Sequence, residues 1–262
     1  MASHQSTFLM KSFHKVIFVF CTVLAFNTLP AWAEIHVNAT GCVEPPVNLV
    51  LTQKTPLFNV LNSLSFSDCY YGLAAAWTKP SLIEKQKQQK AELLNLIEQH
   101  LKQTENASAI EYLSALKKIV ASQDVTGRVV AADLEPFHVE MLPLKNRVIT
   151  EHSNFYFPAN PKKINLIGFA ETAVGYDSEL SITDIYQSNE ICQACEHGWL
   201  WLVQPNGEIE KRKAGLWIHE KYYLAPGGWL VSPLGLLDEG DSTLFYQALT
   251  QWLATQVIRN EK

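Results

Sequence analysis

The 262-residue chain has no excess of positive charge: 21 Lys and Arg stand against 26 Asp and Glu, a net −5 at neutral pH. Without a basic run, nucleic acid and anionic membrane surfaces are poor partners. It has no glycine-rich phosphate loop, no G-x-S-x-G elbow, no H-E-x-x-H pair and no EF-hand loop. Its acidic residues are scattered, with no pattern that marks an acid/base pair. His36, His100, His138, His152 and His219 are isolated from one another. It shows no internal repeat and no low-complexity segment. Its longest apolar run, VIFVFCTVLAF at residues 16–26, falls well short of the roughly 20 residues that span a bilayer.

That short run is nevertheless informative. Lys11 and Lys15 precede it, and Ala31-Trp32-Ala33 follows as an A-x-A pattern. Cationic, apolar and small-residue segments in that order are a secretory signal peptide. Cleavage is expected after Ala33, with no transmembrane segment in the mature chain. Losing two lysines and no acids takes the charge from −5 to −7. The expected location is the periplasm.

An exported chain changes what cysteine means. Of five cysteines, Cys42, Cys69, Cys192 and Cys195 remain after cleavage. An even number in an oxidising compartment favours disulfides. The stretch CQACEHG, residues 192–198, admits other chemistry. A c-type haem needs C-x-x-C-H, and here Glu196 intervenes before His197. Zinc could take Cys192, Cys195 and His197, but needs a fourth ligand. A redox site would open a helix that activates the first thiol, whereas this motif precedes the strand-like GWLWLVQ. The expectation is a local Cys192–Cys195 staple and a Cys42–Cys69 bridge, with the two other pairings open. Closing the loop of about 27 residues between Cys42 and Cys69 contributes on the order of 3 kcal/mol. No metal and no cofactor are expected.

Periodicity separates the elements. EIHVNATG and VNLVLTQ read as strands, and PLFNVLNSLS as a short helix. Ser81 and Glu84 suggest a capping box. Behind them Leu93, Leu94, Ile97 and Leu101 recur at helical spacing, after a polar EKQKQQK expected to project into solvent. Ile110, Leu113, Leu116 and Val120 mark a second helix, so residues 81–122 read as an antiparallel hairpin. VVAADL, FHVEML and RVITEHSNFYF read as strands. Ala159-Asn160-Pro161 reads as a boundary. KINLIGFA is then a strand, TAVGYDS a turn, and Ser181 with Asp184 a second capping pattern. WLWLVQ and EIEKRKAGLW form a hairpin around Pro205-Asn206-Gly207, and LAPGGWLVSPL is a turn and closing strand. Phe245, Ala248, Leu249, Trp252, Leu253 and Val257 give an amphipathic C-terminal helix, with Asp241 or Ser242 as its cap. The residues alone support an exported α+β protein of two small domains without a catalytic signature.

Several of these stretches together resemble the GfcC (YjbG-like) family of periplasmic capsule and exopolysaccharide biosynthesis proteins. They are TGRVV (126–130), FHVEML, KINLIGFA, SITDIY, the VQPNGEIEK hairpin, GLW (215–217) and LAPGGWLVSPL. The resemblance implies two β-grasp-like domains: residues 34–158, carrying the helical hairpin, and residues 159–236. Residues 237–262 would add the amphipathic helix. The second unit is similar to the ligand-binding β-grasp module of outer-membrane polysaccharide export channels. The resemblance implies a non-catalytic accessory role in surface-polysaccharide assembly or secretion. The partner would be the polysaccharide export machinery or the surface polysaccharide itself. An enzyme, either polysaccharide-modifying or thiol–disulfide, is the alternative.

Four residues are candidates for binding. Arg128, beside Gly127, could grip a carboxylate or phosphate bidentately, or tie helix to sheet as a structural arginine. Tyr70, Tyr71 and Trp77 could stack on sugar rings, or form buried core.

Overall fold

The computed structural model describes residues 34–215, 221–235 and 239–259. The signal peptide expected at residues 1–33 lies outside the described residues, as do Leu216 and Trp217 of the expected return strand. From Ile35 onward the chain is one compact unit. It is mixed α+β, with two main sheets and six α-helices among the described residues.

The first sheet has the order β2-β1-β6-β4. β1 (Ile35–Gly41) pairs antiparallel with β2 (Val47–Leu51) and parallel with β6 (Ser153–Phe157), and β4 (Ala76–Thr78) pairs antiparallel with β6. Alternation in β1 turns Ile35, Val37 and Ala39 inward. They meet Trp77, Phe155, Phe157 and the short helix α1 (Leu57–Leu61). A two-stranded ladder joins β3 (Thr55–Pro56) to β5 (Val148–Ile149). FHVEML is not a strand. Pro136 starts a short helix, α4 (Pro136–Met141), since proline suits a first helical turn and offers no strand donor. VVAADL likewise forms no strand; the isolated bridge nearby joins Thr78 to Arg128, the residue before it.

The second sheet has the order β10-β9-β11-β7-β8. β9 (Trp199–Val203) and β10 (Ile209–Lys213) form the expected hairpin. β11 (Trp229–Val231) pairs antiparallel with β9 and parallel with β7 (Lys163–Ile167). The stretch expected to be a turn, TAVGYDS, holds the edge strand β8 (Ala173–Gly175) instead, paired with β7. Both faces of this sheet are covered, which is why WLWLV is apolar throughout. Leu166, Leu200, Leu202 and Leu230 pack on α5 (Ile182–Ser188). Ile167, Trp201, Val203 and Val231 face the other core. α5 opens with the capping box expected at Ser181 and Asp184.

That other core is supplied by the helical hairpin, α2 (Ile83–Gln103) and α3 (Ala107–Ser122), and by α6 (Glu239–Ala254). The hairpin lies in sequence between strands of the first sheet. Its Leu93, Ile97, Leu113 and Leu116 nevertheless pack with Ile167, Val231, Phe245 and Trp252. Three expectations for these helices need correction. Ser81 does not cap α2; its hydroxyl donates to Glu151 Oε1 at 2.8 Å, within a short 3-10 turn at Pro80–Leu82. In α3 Tyr112 is buried and Ile110 is exposed. α6 already begins at Glu239, so Asp241 and Ser242 lie within it, and Val257 lies beyond its end.

Candidate functional site

Both disulfides form as expected, Cys42–Cys69 and Cys192–Cys195. The Cys192–Cys195 loop is fastened on three sides. Cys192 N–H donates to Gly168 O, Glu196 N–H to Pro233 O, and Ala194 N–H to Ser108 Oγ of α3. Cys195 is only 5 % exposed, and His197 turns away from it to meet Tyr186 Oη at 3.1 Å. The loop borders a groove of about 580 Å³ between α3 and the end of β7, floored by Tyr112, Ile167 and Phe169 and edged by Glu111 and Glu190. Beneath that groove a polar chain is fully spent. Tyr112 Oη donates to Ser232 O, Tyr246 Oη donates to Tyr112 Oη, and Leu234 N–H donates to Tyr246 Oη. Burial pushes both phenols up from their ordinary value.

The aromatic candidates do not form one platform. Trp77 is 1 % exposed, stacked on Phe155 with centroids 5.5 Å apart, and offers no ring face to a sugar. Tyr70 stacks on Phe66 at 4.5 Å and directs its hydroxyl to Leu134 O at 3.4 Å. Tyr71 is half-buried, and its hydroxyl has no hydrogen-bond partner among the described residues. Burial raises both phenols, with Glu135 adding to the shift at Tyr70.

Arg128 is 4 % exposed. Its Nη2 donates to Pro205 O at 2.5 Å, and its Nη1 to Gln256 O at 2.6 Å and Ala254 O at 3.4 Å. The guanidinium thus faces three backbone carbonyls: one in the β9–β10 turn and two where the chain leaves α6. Burial pushes it down to about 10, which leaves it a cation at neutral pH. Its neighbours complete a clamp. Thr126 Oγ1 donates to Thr255 O at 2.6 Å. The Gln86 carboxamide accepts from Gly127 N–H at 2.7 Å and donates to Arg128 O at 2.9 Å. Gln86, 4 % exposed, comes from the EKQKQQK stretch expected to project into solvent. Gly127 must be glycine: its φ is +71°, and a Cβ would strike Lys79 O.

The segment held by this clamp, residues 254–256, leads into the wall of a second cavity. It measures about 470 Å³, lined by Gln123, Asn160, Asn165, Trp229 and Gln256, with Lys163 and Arg259 also on it. Its walls are fixed from behind. Lys90 Nζ binds Ala121 O and Gln123 O at the end of α3, at 2.8 and 2.6 Å. Trp252 Nε1 donates to Gln123 Oε1 at 2.6 Å. These lining residues, spread from 123 to 256, have no common spacing. Asn160, as a boundary, Lys163 and Asn165, in KINLIGFA, and Trp229, in PGGWLV, stood in stretches that the sequence marks, but none was marked as lining a cavity.

No curated protein matches the chain. Residues 171–257, from just before β8 through β11 to the segment after α6, match the family described as capsule biosynthesis GfcC C-terminal. Over that segment the chain is similar to the C-terminal part of the GfcC capsule biosynthesis proteins.

Proposed function

We propose that this protein is an exported, non-catalytic accessory in the assembly or secretion of capsule or exopolysaccharide, working beside the export machinery. The observation that carries the reading is the family match over residues 171–257. The architecture supports it. In each main sheet the first strand runs parallel to a late one, β1 beside β6 and β7 beside β11, with a hairpin partner outside. On that pairing we assign one β-grasp-like unit to each sheet. Two disulfides accord with a periplasmic protein. Among the described residues no helix is long and apolar enough to cross a membrane. The polar groups displaced most from their ordinary titration are buried tyrosines and the arginine of the clamp. Each is explained by burial rather than by a catalytic partner.

The test is surface polysaccharide in a strain lacking the gene, with polymer on the cell separated from polymer retained inside. Lost or retained polymer, restored by the intact gene, is the expected result. Unchanged amounts in both fractions would remove this reading.

A further inference from the structure

The cavity beside the clamp has a property that the clamp lacks. Four of its lining side chains are carboxamides, and each has one end anchored within the chain. Gln123 Oε1 accepts from Trp252 Nε1. Asn160 Oδ1 accepts from Lys162 N–H at 2.9 Å. Asn165 Nδ2 donates to Gly227 O and Gly228 O, at 3.2 and 3.3 Å. Gln256 Nε2 donates to Thr255 Oγ1 at 2.9 Å and reaches Trp252 O at 3.4 Å. A carboxamide carries a donor end and an acceptor end, so each anchor dictates what remains. Gln123 and Asn160 keep an N–H₂ donor. Asn165 and Gln256 keep a carbonyl acceptor. None of these four ends takes a hydrogen bond from the described residues.

Two fixed donors and two fixed acceptors around one cavity suit a ligand dense in groups that both donate and accept. Hydroxyl groups do both. The indole of Trp229 lines the same cavity. A flat apolar ring with polar groups around it matches a sugar, whose C–H face is apolar and whose edge is hydroxylated. The volume, about 470 Å³, lies inside the roughly 300–1,000 Å³ of small-molecule sites. Anchoring the amides beforehand lowers the entropy that a ligand must overcome. Gly227 has no room for a side chain: at φ +91° a Cβ would lie 2.5 Å from Ile258 Cδ1 and 2.9 Å from Pro161 Cγ. The backbone at the cavity mouth is therefore fixed as well.

We infer that this cavity is a saccharide-binding subsite that holds a short segment of glycan against Trp229 by the free ends of Gln123, Asn160, Asn165 and Gln256. The inference deepens the polysaccharide role proposed above and rests on it for the choice of glycan. Its test is binding in solution, which does not depend on the capsule phenotype. The probe is a set of oligosaccharides from partial hydrolysis of the producing strain's surface polysaccharide, titrated into the full mature protein by calorimetry and saturation-transfer NMR. Asn160→Ala removes one exposed donor. Trp229→Phe shrinks the platform but keeps an aromatic ring in β11. Each is expected to weaken binding by roughly tenfold or more. Asn160→Ala leaves the thermal midpoint unchanged; Trp229→Phe, at a residue that packs against the core, lowers it without unfolding the protein. Wild-type protein that binds no oligosaccharide of the set would overturn the inference. So would binding that both variants retain. Either failure leaves the deletion-strain result standing, so the two readings fail separately.

Discussion

The chain around residues 254–256 separates two polar regions that are built alike and finished differently. On one side Arg128 and Gln86 are buried and Thr126 is half-buried, and the hydrogen bonds described for them all end on the protein's own backbone or on one another. On the other side Gln123, Asn160, Asn165 and Gln256 each spend one end on the protein and keep the other. The first arrangement is what a buried polar group needs to be tolerated at all. The second has no structural need for its unspent ends. Satisfied groups hold the tail in place; unsatisfied ends make a surface that can recognise something else.

Substitutions can break the first region and sharpen the second. The largest effect belongs to Arg128→Ala, which leaves three carbonyls without their donor. It should cost about 3 kcal/mol, read as a lower denaturant midpoint in urea. A variant as stable as wild type would show that the clamp does not hold the tail. Gln86→Leu strands Gly127 N–H and Arg128 O and should cost about 2 kcal/mol in the same experiment. Tyr112→Phe removes one hydroxyl from the chain of bonds under the α3 groove and should cost about 1 kcal/mol. A larger loss would mean that the groove floor depends on that chain more than its hydrogen bonds indicate. Asn160→Ala should change stability least, within about 0.5 kcal/mol, while saccharide binding falls.

Much of the fold was legible because local chemistry dictated it. Pro205-Asn206-Gly207 fixes the β9–β10 hairpin, Ser181 with Asp184 fixes the start of α5, and both cysteine pairs join near neighbours in the fold. What was not legible depended on distant partners. Nothing in EKQKQQK shows that Gln86 turns inward to a glycine forty-one residues on. The sequence position of the α2–α3 hairpin does not show that it packs against the second sheet. FHVEML carries apolar residues that suit a strand, and only Pro136 argues for the helix it forms. Ser81 was a plausible cap until Glu151, seventy residues away, took its hydroxyl. The amide cavity left the weakest trace, since its residues come from four separate stretches of the chain that only the fold brings together.

The most direct test of the account is complementation by a folded protein with an altered cavity. A strain lacking the gene receives either the wild-type gene or one carrying Asn160→Ala with Trp229→Phe, at matched protein levels. The account predicts that wild type restores polymer to the cell surface and the double variant does not. Full restoration by the double variant would contradict the claim that this cavity carries the function.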